Sequence, residues 1–374
     1  MTPQSLNVSQ PQRLYSLDAL RGFDMIWIMG LGYIIEGYSA TQNTAFWQAV
    51  HTQFVHKEWH GFAFWDLIFP LFMFLAGVST PYSLDRALEK GSTRKELVKK
   101  VIKRGLILIA LGMFYNNGLE LRPVSSIRFL SILFKIGVTY IFAAIIYLYA
   151  NKTMQWVWFW SLLIGYWLLL KFNSAPGFPP GDLTMEGNYM SYLDRSMLSG
   201  RNLSKGIHDT IGLVCTIPGI CNVLLGIFAG VLIKTNKDTP IKSVRWLSVA
   251  GVIAIALSLL WSIDFPYNKN LWSSSFVLLT GGLSLLLLSL FYYVIDVLGY
   301  KRWTFFLRVI GMNSILIFIA YTFINWDYTT NAFFKWLGQL AGEPNAKFVM
   351  GFCTLFVKWI FLYFLYKKKI FLKV

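Results

Sequence analysis

Val55-His56-Lys57-Glu58-Trp59-His60-Gly61-Phe62-Ala63-Phe64-Trp65-Asp66-Leu67-Ile68-Phe69-Pro70 sets two of the chain's four histidines directly ahead of a long apolar run, with a carboxylate in that run's first turns. A charged group inside a membrane helix is costly, so an acid there generally has a partner or a task. Histidine's free pKa lies nearest neutrality, and the combination points to proton or group transfer at a membrane boundary.

Working outward, the rest of the 374-residue chain carries the same signal: 56% hydrophobic residues, 14% charged, a mean hydropathy of +0.52, and 15 Trp with 19 Tyr. Apolar runs of about 20 residues cross a bilayer as helices, and aromatic rings collect at its headgroups. Ten such runs are readable, near 18–39, 62–82, 101–116, 128–149, 153–171, 211–233, 243–262, 272–295, 304–324 and 348–366. The expected fold is therefore all-α, one polytopic domain over residues 1–374, a bundle of about ten transmembrane helices.

The net charge of +16 is confined to short loops, which excludes a nucleic-acid face and suits anionic lipid. With the N-terminus inside, 22 of the 34 Lys and Arg fall on the inner side and 10 on the outer, with Lys135 and Lys358 inside spans. Basic residues stay on the cytoplasmic side, so the reading is N-in and C-in. All four histidines then lie outside, as does the loop 172–210, rich in Pro, Gly and Asn and suited to a substrate-facing cap. Cys215, Cys221 and Cys353 sit in apolar segments without metal or disulfide spacing, and no metal is expected.

His56 leads the candidates, as general base or transient acyl carrier; otherwise it is an interfacial histidine on headgroups or water. Asp66, ten residues on, would orient an imidazole, or else form an ion pair with Lys135 or Arg128. Lys358, deep in the last span, is either a snorkelling side chain or a counter-charge for an anionic ligand. Asn268, Asn270 and Trp272 offer donors and a ring to a sugar, or equally a helix cap and anchor. Asn313 either packs helices or lines a cavity. His208 and Asp209 precede Thr216-Ile217-Pro218-Gly219, where a helix break is expected to line an outer cavity.

Taken in order, Ser16–Phe23, His56–Pro70, Arg128 with Ile136–Tyr140, Thr216-Ile217-Pro218, Asn268–Trp272 and Gly311-Met312-Asn313 resemble the heparan-alpha-glucosaminide N-acetyltransferase family and its bacterial relatives over nearly the whole chain. The resemblance implies transfer of an acetyl group from cytoplasmic acetyl-CoA to an amino sugar or other saccharide beyond the inner membrane. It implies His56 as the active-site residue, which Asp66 would assist as the second catalytic group, and suggests a homodimer. On this reading Lys135, Lys358, Arg128 and Asn313 serve the donor, and His60, Trp59, His208, Asp209, Asn268, Asn270 and Trp272 the acceptor. The chain departs from the family at Gly32-Tyr33, where an Asn-Tyr-Gly sequence is usual, at His60 in place of Asn, at Phe134-Lys135 in place of Gln-Arg, and at His208–Gly212. The rival class is a sugar or anion transporter working through Asp66, Lys135 and Lys358.

Overall fold

The computed structural model describes residues 14–118, 123, 126–198, 203–342 and 345–372, so residues 199–202 of the loop 172–210 lie outside the described residues. The elements are helical throughout: α1 (Tyr15–Ile26), α2 (Gly32–Ala40), α3 (Ala45–Phe54), α4 (Ile68–Glu89), α5 (Arg94–Asn117), α6 (Ile132–Tyr149), α7 (Lys152–Phe172) and α8 (Tyr189–Met197). They continue with α9 (Gly219–Thr235), α10 (Pro240–Ser262), α11 (Ser274–Phe291), α12 (Phe305–Gly311), α13 (Ser314–Phe323), α14 (Trp326–Ala341) and α15 (Asn345–Lys367).

Among the described residues seven helices are long and apolar enough to cross a membrane: α4 with its preceding turn, α6, α7, α9 with its preceding turn, α10, α11 with its extension, and α15. The pair α12 and α13, bent by 67° at Met312-Asn313, makes an eighth when counted as one broken span. The other two runs read from the sequence fall on α1–α2, interrupted by a π-helical turn at Trp27–Leu31, and on α5, whose first half carries Arg94, Lys95, Lys99, Lys100, Lys103 and Arg104. Three helices have no counterpart in the sequence reading. They are α3, just ahead of His56, α8, within the stretch read as the loop 172–210, and α14, which leaves Tyr328, Phe333, Trp336 and Leu340 exposed along its length.

Glycine decides which helices approach closest. A Cβ on Gly226 of α9 would lie 2.0 Å from the Phe74 carbonyl oxygen of α4, and one on Gly77 would lie 2.1 Å from that of Val223. On α1, Gly22 is held as tightly against Leu307, at 1.8 Å. Small residues let backbones touch where the lipid provides no hydrophobic drive for helix association. The result is a centre of α4, α9 and α11, whose most apolar windows are 72%, 78% and 61% buried, with α7, α10 and α15 at the rim, each at 28%.

The fold positions the site by breaking helices near one end of this centre. The chain leaves α3 in an extended Val55 and turns once through Phe64–Asp66 before α4 begins. Similarly, Val214–Thr216 forms a short turn and α9 starts only beyond Pro218, at the break read from the sequence. Proline removes a backbone donor, so the interruption there is locally encoded.

Candidate active site

Asp66 is 2% exposed, and its carboxylate is held from both sides. Its Oδ2 accepts the Ala63 backbone N–H at 3.0 Å, which caps the turn, while Oδ1 lies 2.7 Å from His56 Nδ1. A proton on Nδ1, donated to the acid, leaves Nε2 as the basic nitrogen, the arrangement by which a carboxylate orients an imidazole and stabilises its cation. The His56 side chain is 48% exposed, so the imidazole is within reach of an incoming group.

A third member comes from the loop before α11. Lys269 Nζ lies 3.4 Å from Asp66 Oδ1 and 3.1 Å from His56 Nε2. Burial draws this ammonium below the usual lysine range, which makes it a better proton donor than a free lysine. Asp66 therefore pairs with His56 and Lys269 rather than with Lys135 or Arg128. Nothing in the local sequence around Lys269 distinguishes it from its polar neighbours, because its partners are about two hundred residues away.

The candidate acceptor residues surround this dyad at different depths. Trp59 donates its indole N–H to the Leu183 carbonyl at 2.8 Å and meets the His208 ring edge-on at 5.1 Å, tying the 55–63 segment to the loop 172–210. The Glu58–Lys205 ion pair adds a second tie. His60 Nδ1 lies 3.4 Å from the Asn268 carboxamide nitrogen, and Asn268 is itself buried, accepting the Leu271 N–H at 2.8 Å. Asn268 thus acts as a loop cap while presenting its amide to His60.

Trp272 is fully buried with φ of +55°, donates to Asn222 Oδ1 at 2.9 Å, and carries the Lys135 ammonium 3.7 Å above its ring. Among the described residues the Lys135 ammonium has no hydrogen-bond partner, so the ring face is its main stabilising contact. Beside it, Asp209 Oδ1 accepts the N–H groups of Ile211 and Gly212 at 2.6 and 3.1 Å, and Oδ2 lies 3.7 Å from Arg128. Asp194, which the sequence reading did not single out, accepts the Asp209 N–H at 3.1 Å, and burial pushes its pKa up to about 6. Among the described residues both ring nitrogens of the buried His208 are unpartnered, and burial pulls it down toward the neutral form.

The four candidate donor residues do not converge. Arg128 faces Thr210 and Asp209, Lys135 lies under Trp272, and Asn313 clasps the chain end through Ile370 O and Leu372 N. Of the four, Lys358 lines a cavity, and its ammonium donates to the Met29 carbonyl at 2.6 Å. That cavity, 50 Å³ with Tyr33, Tyr115 and Tyr321 in its wall, shares Met25, Ile28 and Phe318 with an apolar cavity of 40 Å³. The latter shares Phe72, Ile136 and Ile315 with a third, of 220 Å³, bearing Arg21, Arg104 and Tyr140. The three lie in series through the helices. Arg104 stacks on Tyr140 at 4.7 Å and keeps a buried Nε without a partner among the described residues.

Residues 13–260 match the family model described as heparan-alpha-glucosaminide N-acetyltransferase, catalytic. The chain is 28% identical to the Homo sapiens heparan-alpha-glucosaminide N-acetyltransferase over 97% of its own length and 60% of that protein's. It is likewise 28% identical to the Mus musculus protein of the same name, over 98% and 61%. The chain thus spans about three-fifths of these relatives' length.

Proposed function

Because the chain belongs to the heparan-alpha-glucosaminide N-acetyltransferase family, we propose that it moves an acetyl group from acetyl-CoA to an amine or hydroxyl of a saccharide across a membrane. The observation that carries this reading is the His56–Asp66 contact at 2.7 Å, a half-exposed imidazole on a buried carboxylate.

In this mechanism His56 Nε2 takes the acceptor's proton as its nitrogen or oxygen attacks the thioester carbonyl. The new C–N or C–O bond forms, the C–S bond breaks, and the departing thiolate takes a proton to leave as CoA. Asp66 stabilises the imidazolium formed on the way. Lys269, beside both groups, is placed to return a proton. Acetyl transfer through a covalent acetyl on His56 uses the same atoms in two steps.

CoA is polyanionic, and the cavity bearing Arg21 and Arg104 suits its phosphates. Both termini and the basic loops then lie on the cytoplasmic side of the inner membrane, with His56 and the acceptor residues His60, Trp59, His208, Asp209, Asn268 and Asn270 toward the far side. The test is release of CoA thiol and formation of acetylated sugar by purified protein supplied with acetyl-CoA and a glucosaminide. Wild type is expected to turn over and His56→Ala to lose about 10²–10⁴-fold. Absence of acetyl-CoA binding, with His56→Ala keeping full cellular function, overturns the reading. So does sugar uptake into proteoliposomes without an acyl donor.

A further inference from the structure

The first span is broken in a way that serves a neighbour. Within its π-helical turn Gly30 has φ of +146°, a conformation side chains disfavour, and the carbonyl of Met29 accepts from Lys358. Just beyond, Gly32 has no room for a side chain. A Cβ there would lie 1.8 Å from Trp65 Cζ3 and 2.1 Å from Cη2, so the indole is seated on the Gly32 backbone.

From that seat the Trp65 ring reaches both sides. It meets Tyr33 edge-on with centroids 5.3 Å apart, and Tyr33 is a wall of the Lys358 cavity. It also faces the His56 imidazole at 6.2 Å. Trp65 is the residue before Asp66, so the turn that holds the imidazole also holds the indole.

We infer that Trp65, seated on Gly32, is the partition between the Lys358 cavity and His56, and that it restricts the delivered group to a short acyl chain. The inference rests on the acyl-transfer reading above. Trp65 makes and breaks no bond. It packs on Tyr33, which lines the 50 Å³ cavity, and so stands between that wall and the imidazole, where a longer chain on the thioester carbonyl would have to extend from a cavity that holds only a few water-sized groups. It is a specificity-determining residue, since an overfilled, close-packed wall excludes added methylenes.

Two measurements test this. The first is the ratio of transfer rates from butyryl-CoA and acetyl-CoA by purified protein. Trp65→Ala is expected to raise that ratio at least tenfold. Gly32→Ala, which drives the indole from its seat, moves the ratio the same way. An unchanged ratio in a Trp65→Ala protein that still transfers acetyl overturns the inference. Should that variant not fold, Trp65→Phe leaves a smaller ring on the same seat and gives the same direction with smaller size.

The second measurement does not depend on catalysis. Ile28 lines the cavity, so Ile28→Cys reports access to it through labelling by a positively charged methanethiosulfonate. Adding Trp65→Ala is expected to speed labelling at least tenfold, and an unchanged rate overturns the partition even where transfer holds. Faster labelling in a protein whose wild type transfers from no acyl-CoA would keep the partition and remove the acyl-transfer reading with its length selection.

Discussion

His56 and His208 are both candidate histidines on the His56 end of the bundle, and they have opposite surroundings. His56 is half exposed, with a buried carboxylate at 2.7 Å and an ammonium at 3.1 Å. His208 is buried against Trp59 with neither ring nitrogen partnered among the described residues. A charge partner makes an imidazole able to take and hold a proton, whereas burial alone makes protonation unfavourable. Sequence position does not separate the two, but their partners do.

The largest expected effect comes from breaking the His56 side. Asp66→Asn presents an amide to Nδ1, which favours the wrong tautomer and removes the counter-charge. Transfer should fall by about 10²–10⁴-fold while the protein stays folded, read from CoA release beside thermal unfolding. A loss below about threefold would detach Asp66 from the chemistry.

Next in size is Lys269→Met. Its ammonium lies 3.2 and 3.1 Å from the two ring nitrogens of His56 and 3.4 Å from Asp66 Oδ1, so its removal should cost about tenfold in transfer rate with thermal unfolding unchanged. A merely structural lysine would lower Tm and leave the rate of the folded protein in place.

The His208 side predicts a stability effect instead. Its folded pKa is depressed below the free value of about 6.5, so its contribution is present above that pH and is lost as pH falls through the folded value. Wild type should therefore lose Tm on acidification from pH 7 to 5. His208→Phe should shrink that loss by about 2–4 °C and change transfer less than threefold.

The smallest effect, of the opposite sign, belongs to Asp194. Its pKa is raised to about 6 in the fold, so its contribution is present below about pH 4 and is lost as pH rises through about 6. Asp194→Asn should remove that decline, by about 1–2 °C between pH 4 and 7, while its side-chain oxygen still accepts the Asp209 N–H. A steeper decline in the variant would reverse the assignment.

Much of the site was legible locally. His56 and Asp66 are ten residues apart around a single turn, and that turn is written in the residues between them. The break at Pro218 was legible for the same reason. The donor residues were not. Lys135, Arg128 and Asn313 were singled out for charge or polarity inside or near spans. The fold gives each a separate partner, in Trp272, Asp209 and the chain end. Arg21 and Arg104, which do share a cavity, lie in helices whose basic residues read as ordinary inner-side charge.

The sequence by itself determined that this chain is a bundle of membrane helices, because unpaired backbone groups and charges are too costly in hydrocarbon to leave another solution. It also put His56 and Asp66 ten residues apart around one turn, while leaving the partner of Asp66 open between the imidazole, Lys135 and Arg128. Tertiary structure alone decided that Lys269 joins His56 and Asp66, that three cavities line up between helices, and that the Trp65 indole rests where Gly32 has no side chain. Each of those depends on which glycine faces let helices touch, and a contact between distant segments leaves no periodicity in either one.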